Sequence, residues 1–261
     1  MHRQGFFLRR LGRKLLWRYP ALYRRFGLWR NRGDCRSGDF DVWIEGYPRS
    51  ANTFAVSAFE LANPGVRVRS HRHIPTFVLE ALAADKPGFL LMRRPAEAAI
   101  SWAIFWNERL DRCLDYYVDF HAVLRPNASR LLLAPFETVT TQFDRVIVDL
   151  NARFGTAYLS RPHDETTIAE CFARIEDKGR CRVDGLNERR VCRPSPQRVP
   201  LQAELRQVLA NSAPLQRKLA RANDLYEYFL RQGTVAPARV PAASPVPGPD
   251  QLVVDSRPLE G

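Results

Sequence analysis

Four short apolar runs alternate with helical patterns over residues 41–154, and this alternation limits the fold more than any single motif. The runs are DVWIEG (41–46), VRVRSH (66–71), GFLLMR (88–93) and RLLLAP (130–135). Each precedes an amphipathic stretch: 52–62, then 75–84 with Pro75 in its first turn, then Pro95 to about Trp106, then 141–154. Continuous apolar strands joined by helices predict a three-layer α/β sandwich. Its central, mostly parallel sheet should hold about four to five strands. Beyond residue 160 the pattern turns helical and polar, with helices expected at 165–178 and 200–231 joined by an arginine-rich loop. A chain of 261 residues suits one sizeable domain with appendages. The expected division is a basic arm (1–38), one α/β domain (39–233) and a flexible tail (234–261) carrying six prolines.

Charge is concentrated in the arm. Residues 1–38 carry eleven Arg and Lys against one acid, Asp34, so +10 of the net +12 lies there and +2 on the other 223 residues. Leu15, Leu16, Trp17, Leu22, Tyr23 and other apolar residues interleave with those bases. Such a segment either lies on an anionic membrane surface or acidic polymer, or packs its apolar stripe on the domain with the arginines solvated. No apolar run approaches the ~20 residues of a membrane span. Five scattered cysteines form no CxxC pair or Cys/His cluster, so a reduced, cytoplasmic protein without a zinc site or disulfide framework is expected.

In a parallel sheet, ligands bind beyond the carboxyl ends of the strands. The first strand end reads Gly46-Tyr47-Pro48-Arg49-Ser50-Ala51-Asn52-Thr53-Phe54. Strand, polar loop and helix follow in the order of a phosphate-binding loop, whose backbone N–H groups and helix dipole cradle an anion. The lysine of a nucleotide triphosphatase is missing, which argues against ATP hydrolysis. Arg49 offers fixed positive charge in its place. At the second strand end stand His71 and His73, either of which can act as a general base. The third ends in Arg93 and Arg94, with Pro95 opening a helix and Ser101 two turns along it. Arg93 and Ser101 suit a second phosphate.

These motifs, in this order, resemble the sulfotransferases that use 3′-phosphoadenosine 5′-phosphosulfate (PAPS). Tyr47 to Phe54 is similar, position by position, to their 5′-phosphosulfate loop YPKSGTTW. Arg93, Pro95 and Ser101 match the spacing of their 3′-phosphate motif. His73-Ile74-Pro75 is similar to their catalytic His-x-Pro, while Arg69-Ser70-His71 also lies on Lys-Thr-His and keeps His71 as a rival. Pro135-Phe136-Glu137 weakly resembles a Tyr-Glu-Asp strand end. The likeness spans roughly residues 40–155 and is nearest to bacterial members with an HxHxP segment and a C-terminal Arg-Pro-Ser element. Departures are Arg49 for Lys, Ala51-Asn52 for Gly-Thr, and no clean counterpart of a C-terminal RKGxxG loop.

The resemblance implies sulfuryl transfer from PAPS to an acceptor hydroxyl on a glycan, lipid or small molecule, with no metal. It assigns the phosphosulfate to Pro48, Arg49, Ser50, Ala51, Asn52, Thr53 and Phe54. The 3′-phosphate or base falls to Arg93, Ser101, Arg193, Ser195 and Arg198. Arg49 and one of His73 and His71 are the catalytic residues. The acceptor pocket falls to loops after residue 102 and to 156–200. There Trp102, Phe105, Trp106, Tyr116 and Tyr117 either line the pocket or pack in the core. One rival is a degenerate phosphate-loop kinase needing ATP, Mg²⁺ and an acidic ligand, for which only Glu137 offers itself. The other is an anionic-lipid or nucleic-acid binding module driven by the arm. The near-neutral body and the ordered strand-end motifs disfavour such a module as the main activity, and specific nucleic-acid binding with it. The arm is left to bring the enzyme either to the inner membrane face or to an acidic acceptor.

Overall fold

The computed structural model describes residues 12, 15–23, 39–180 and 195–235. Its core is an all-parallel sheet of β1 (Val42–Gly46), β2 (Val68–Ser70), β3 (Gly88–Met92), β4 (Leu132–Pro135) and β5 (Thr234–Val235). The strand order is β2-β1-β3-β4-β5. The α-helices described from residue 39 onward are α1 (Asn52–Ala62), α2 (Pro75–Ala83), α3 (Pro95–Trp106), α4 (Leu110–Leu124), α5 (Phe136–Thr141), α6 (Phe143–Phe154), α7 (Glu165–Arg180), α8 (Val199–Ala210) and α9 (Ala213–Gln232).

Alternation along the buried strands divides the core in two. Trp43, Leu90, Met92 and Leu133 face one way and pack with α2, α4 and α9 through Val78, Tyr117, Phe120 and Phe229. Val42, Ile44, Phe89, Leu91, Leu132 and Ala134 face the other way, toward α1, α5, α6 and α7. A third apolar cluster joins α3, α4 and α8 through Ile100, Ile104, Leu114 and Leu209. The expected three-layer α/β architecture with a helical C-terminal part is therefore present.

Three features depart from the sequence reading. Residues 110–124, expected among pocket-forming loops, form the long helix α4. Thr234 and Val235, assigned to the flexible tail, pair with Leu132 and Leu133 as an edge strand. The rest of the tail lies outside the described residues. The helical stretch 200–231 is two helices, α8 and α9. Among the described residues, no helix is long and apolar enough to cross a membrane.

The strand order places the site. From β1 the chain passes through α1 to β2 at the sheet edge, then crosses back through α2 to β3 on β1's other side. Because α1 and α2 cover opposite faces, a crevice opens beyond the carboxyl ends of β1 and β3, the switch point where doubly wound sheets bind ligands. The two strands approach closely there. A Cβ on Gly46 would fall 2.7 Å from the Leu91 carbonyl oxygen, so only glycine fits at the mouth of the first loop.

Part of the arm packs on the domain. Trp17 and Tyr23 are buried against Phe77. The Trp17 ring meets Tyr116 edge-on at 4.9 Å, and Thr76 donates to the Trp17 carbonyl at 2.9 Å. Leu15, Tyr19 and Leu22 are left exposed.

Candidate active site

The loop leaving β1 turns through left-handed conformations at two non-glycine residues, Arg49 (φ 67°) and Ala51 (φ 71°). His71 (φ 61°) and His73 (φ 54°), after β2, do the same. Four of the six such residues among those described therefore lie at two neighbouring strand ends. Conformations of this kind persist only where surrounding contacts impose them, and they concentrate at functional sites. Ala51 caps α1, whose first backbone N–H groups have no partner within the helix. Asn52 Nδ2 donates to the Tyr47 carbonyl and braces the loop. Ser50 is fully buried, and neither its hydroxyl nor Asn52 Oδ1 has a protein hydrogen-bond partner. A buried hydroxyl beside the N–H groups of a helix start suits an anionic oxygen.

Arginines converge on this loop from β1, β3 and the C-terminal part. Arg93 Nη1 donates to the Arg49 carbonyl at 2.7 Å, and its guanidinium lies 4.0 Å over the Phe136 ring. Arg49 Nε donates to Ser101 Oγ at 3.2 Å, with its guanidinium 4.4 Å over Phe105. Ser101 thus meets Arg49 rather than Arg93. Burial pushes the Arg93 guanidinium down to about 10, with the charges of Arg49 and Arg198 adding to the shift. It stays protonated at neutral pH. The nearest acids are engaged elsewhere: Glu97 with Arg206 at 3.0 Å, and Glu137 with Arg94 at 3.8 Å. The loop therefore faces an excess of positive charge suited to a polyanion. Arg198 and Ser195 are buried at the start of α8, whereas Arg193 lies outside the described residues.

The two histidines differ in chemistry. His73 Nδ1 lies 2.9 Å from the Gly46 carbonyl oxygen, which can only accept, so Nδ1 carries the proton. In the neutral ring Nε2 then holds the lone pair. Burial, followed by the charge of Arg49, keeps the His73 imidazole below its ordinary range, and this favours the neutral form at pH 7. His71 is exposed and shares a hydrogen bond with Thr53 Oγ1 through Nε2 at 3.2 Å. The two rings are 6.0 Å apart.

Helix α4 stiffens the site from beneath. Tyr116 donates to the His73 carbonyl at 2.8 Å, and Tyr117 to the Arg93 carbonyl at 2.9 Å. Tyr47, fully buried, donates to the Cys113 carbonyl at 2.8 Å. Tyr116 and Tyr117 are thus scaffold under the site. Trp102 packs among them, while Phe105 and exposed Trp106 sit at the rim. Phe54, expected to touch the cofactor, is buried in the core on the α1 side against Phe172. Its ring meets Phe172 of α7 and His163. Glu137 is exposed at the start of α5.

One residue escaped the sequence reading. Glu45, on β1 and 1% exposed, accepts the Arg72 amide at 2.8 Å and the His73 amide at 3.1 Å. Its signal was an acid inside an otherwise apolar strand.

No family model, curated protein or solved structure matches this chain.

Proposed function

We propose that this chain is a PAPS-dependent sulfotransferase acting on a hydroxyl acceptor. The observation that carries the reading is the meeting of Arg49 and Arg93 with a neutral, Nδ1-protonated His73 at the β1/β3 switch point. The residues suit the donor. The orphaned Ser50 hydroxyl, the N–H groups opening α1 and Arg49 provide for its 5′-phosphate. Arg93 and Arg198 provide a second cationic anchor for the 3′-phosphate, with the Ser101 hydroxyl, bonded to Arg49, as a neutral donor beside them.

When bound, PAPS supplies an activated sulfuryl group on a phosphate leaving group. His73 Nε2 takes the proton of the acceptor hydroxyl as the new O–S bond forms and the bond from sulfur to the bridging phosphate oxygen breaks. Arg49 meets the charge left on that phosphate, an electrostatic contribution of the oxyanion-stabilising kind. Arg93 and Ser101 fix the nucleotide so that acceptor and leaving oxygens stand in line.

Calorimetric titration with 3′-phosphoadenosine 5′-phosphate, the desulfated product, tests this reading. Wild type should bind it, and Arg93→Ala should weaken binding by about 10- to 100-fold, the loss of one half-buried charged contact. A wild type that does not bind the nucleotide is not a sulfotransferase of this kind.

The arm supports a cytoplasmic location at the inner membrane face. Its inner side holds Trp17 and Tyr23, while Leu15, Arg18, Tyr19 and Leu22 are exposed, in a segment whose sequence is rich in arginine. Sedimentation with phosphatidylglycerol vesicles should capture the full chain, and Leu15→Ser/Leu22→Ser should reduce capture several-fold. Equal capture by phosphatidylcholine vesicles, or an unaffected double variant, refutes this role.

A further inference from the structure

Glu45 is a buried ionisable group that the reaction above does not use. It precedes Gly46 at the end of β1, and its two carboxylate oxygens serve consecutive amides: Oε1 accepts from Arg72 and Oε2 from His73. The same short segment carries the left-handed residues His71 and His73. His73 is therefore held at its amide by Glu45, at its ring by the Gly46 carbonyl, and at its own carbonyl by Tyr116. Two of those three anchors are adjacent residues of one strand.

We propose that Glu45 is the positioning residue of the histidine segment: its ionised carboxylate clamps the Arg72–His73 backbone so that Nε2 of His73 is presented to the acceptor, and its protonation loosens the clamp. This deepens the sulfotransferase reading and rests on it. The chemistry follows from donors and acceptors. A carboxylate accepts both amides, whereas a carboxylic acid turns an O–H donor toward one of two N–H donors.

The charged groups around Glu45 come from several elements. Arg69 of β2 acts on it electrostatically, but that guanidinium is itself paired with Glu80 of α2 at 2.7 Å. Arg72 reaches it through its amide, with its guanidinium 5.8 Å over Phe77. The His73 ring turns toward Gly46. Burial is the largest influence and, against the amide bonds and Arg69, pushes the Glu45 carboxyl up to about 7. The sign follows. A carboxyl raised from 4.5 to about 7 on folding binds more protons in the folded state, so stability falls as pH rises through that window. Above pH 7 the fold keeps an unfavourable charge, and the strained histidine segment is what that charge holds.

Glu45→Gln keeps the shape, removes the charge at every pH, and sets an amide NH₂ against one backbone N–H. Amide resonances of Arg72 and His73, followed without nucleotide, should titrate together near pH 7 in wild type and lose that step in the variant. Turnover of wild type should fall as pH drops through about 7. In Glu45→Gln the maximal kcat should fall by about 10- to 100-fold, as for a misplaced base, with KM for the donor within about twofold. Its acid limb should move to lower pH, where His73 itself titrates. Glu45→Asp should keep a titrating limb and part of the turnover. Relative to wild type, Glu45→Gln should gain stability as pH rises from 5 to 8.

If the Arg72 and His73 amides do not titrate between pH 6 and 8 in wild type, Glu45 is no clamp. An unmoved acid limb in the variant gives it a merely structural role, which also overturns the proposal. Failure of the sulfotransferase reading shows separately, as absent nucleotide binding. The amide titration decides the clamp in that case, and equally if the variant does not fold.

Discussion

His73→Ala should bind 3′-phosphoadenosine 5′-phosphate within about twofold of wild type while its turnover falls by about 10²- to 10⁴-fold, the span of a lost general base. The split follows from where the ring is held. Its contact with the Gly46 carbonyl and its backbone bonds to Glu45 and Tyr116 involve no group offered to the nucleotide, so removing the imidazole leaves the anion site standing. The neutral ring, protonated at Nδ1, has one free task at Nε2. Because the imidazole is held below its ordinary range, it remains a base at neutral pH. His71 offers the contrasting case. Its Nε2 already meets Thr53 Oγ1 and its ring is exposed, so His71→Ala should cost only a few-fold. Single-turnover assays on both variants decide the matter. Full turnover in His73→Ala, with loss in His71→Ala, would transfer the base role.

Much of the frame was legible because it depends on local periodicity. The runs 41–46, 66–71, 88–93 and 130–135 each contain a strand, and the residues just after them supply the site. Even α4 is written in the sequence: Leu110, Cys113, Leu114, Tyr117, Val118 and Leu124 recur at helical spacing, although its aromatics are equally the residue types that line a pocket. Other features are non-local. The two residues of β5 carry no strand signal in a Pro- and Ala-rich tail and are ordered by the open edge of β4. The bond from Arg49 to Ser101 spans 52 positions and the packing of Trp17 on Tyr116 spans 99, distances at which spacing motifs say nothing. Phe54 shows the converse error. A motif matched residue by residue ran on to the third residue of α1, whose side chain packs in the core against Phe172.

Arg49→Ala should lower kcat by about 10²- to 10³-fold, the loss typical of one donor to a developing oxyanion. The product nucleotide should bind about tenfold more weakly. Two features place this residue at the leaving phosphate rather than on the surface. Its backbone is held in a left-handed turn by the Arg93 guanidinium on its carbonyl, and its side chain lies between Ser101 and Phe105. Arg49→Lys should keep the charge but lose the Nε bond to Ser101 and the planar stacking on Phe105, so it should retain more turnover than the alanine variant. A second consequence needs no substrate. The charge of Arg49 helps hold the His73 imidazole down, so Arg49→Ala should move the His73 titration upward, and Arg49→Lys should move it less. Histidine resonances followed across pH 4 to 8 read that shift. A turnover within a few-fold of wild type in Arg49→Ala would remove Arg49 from the chemistry. A His73 titration that ignored the substitution would show that the two side chains do not share one site.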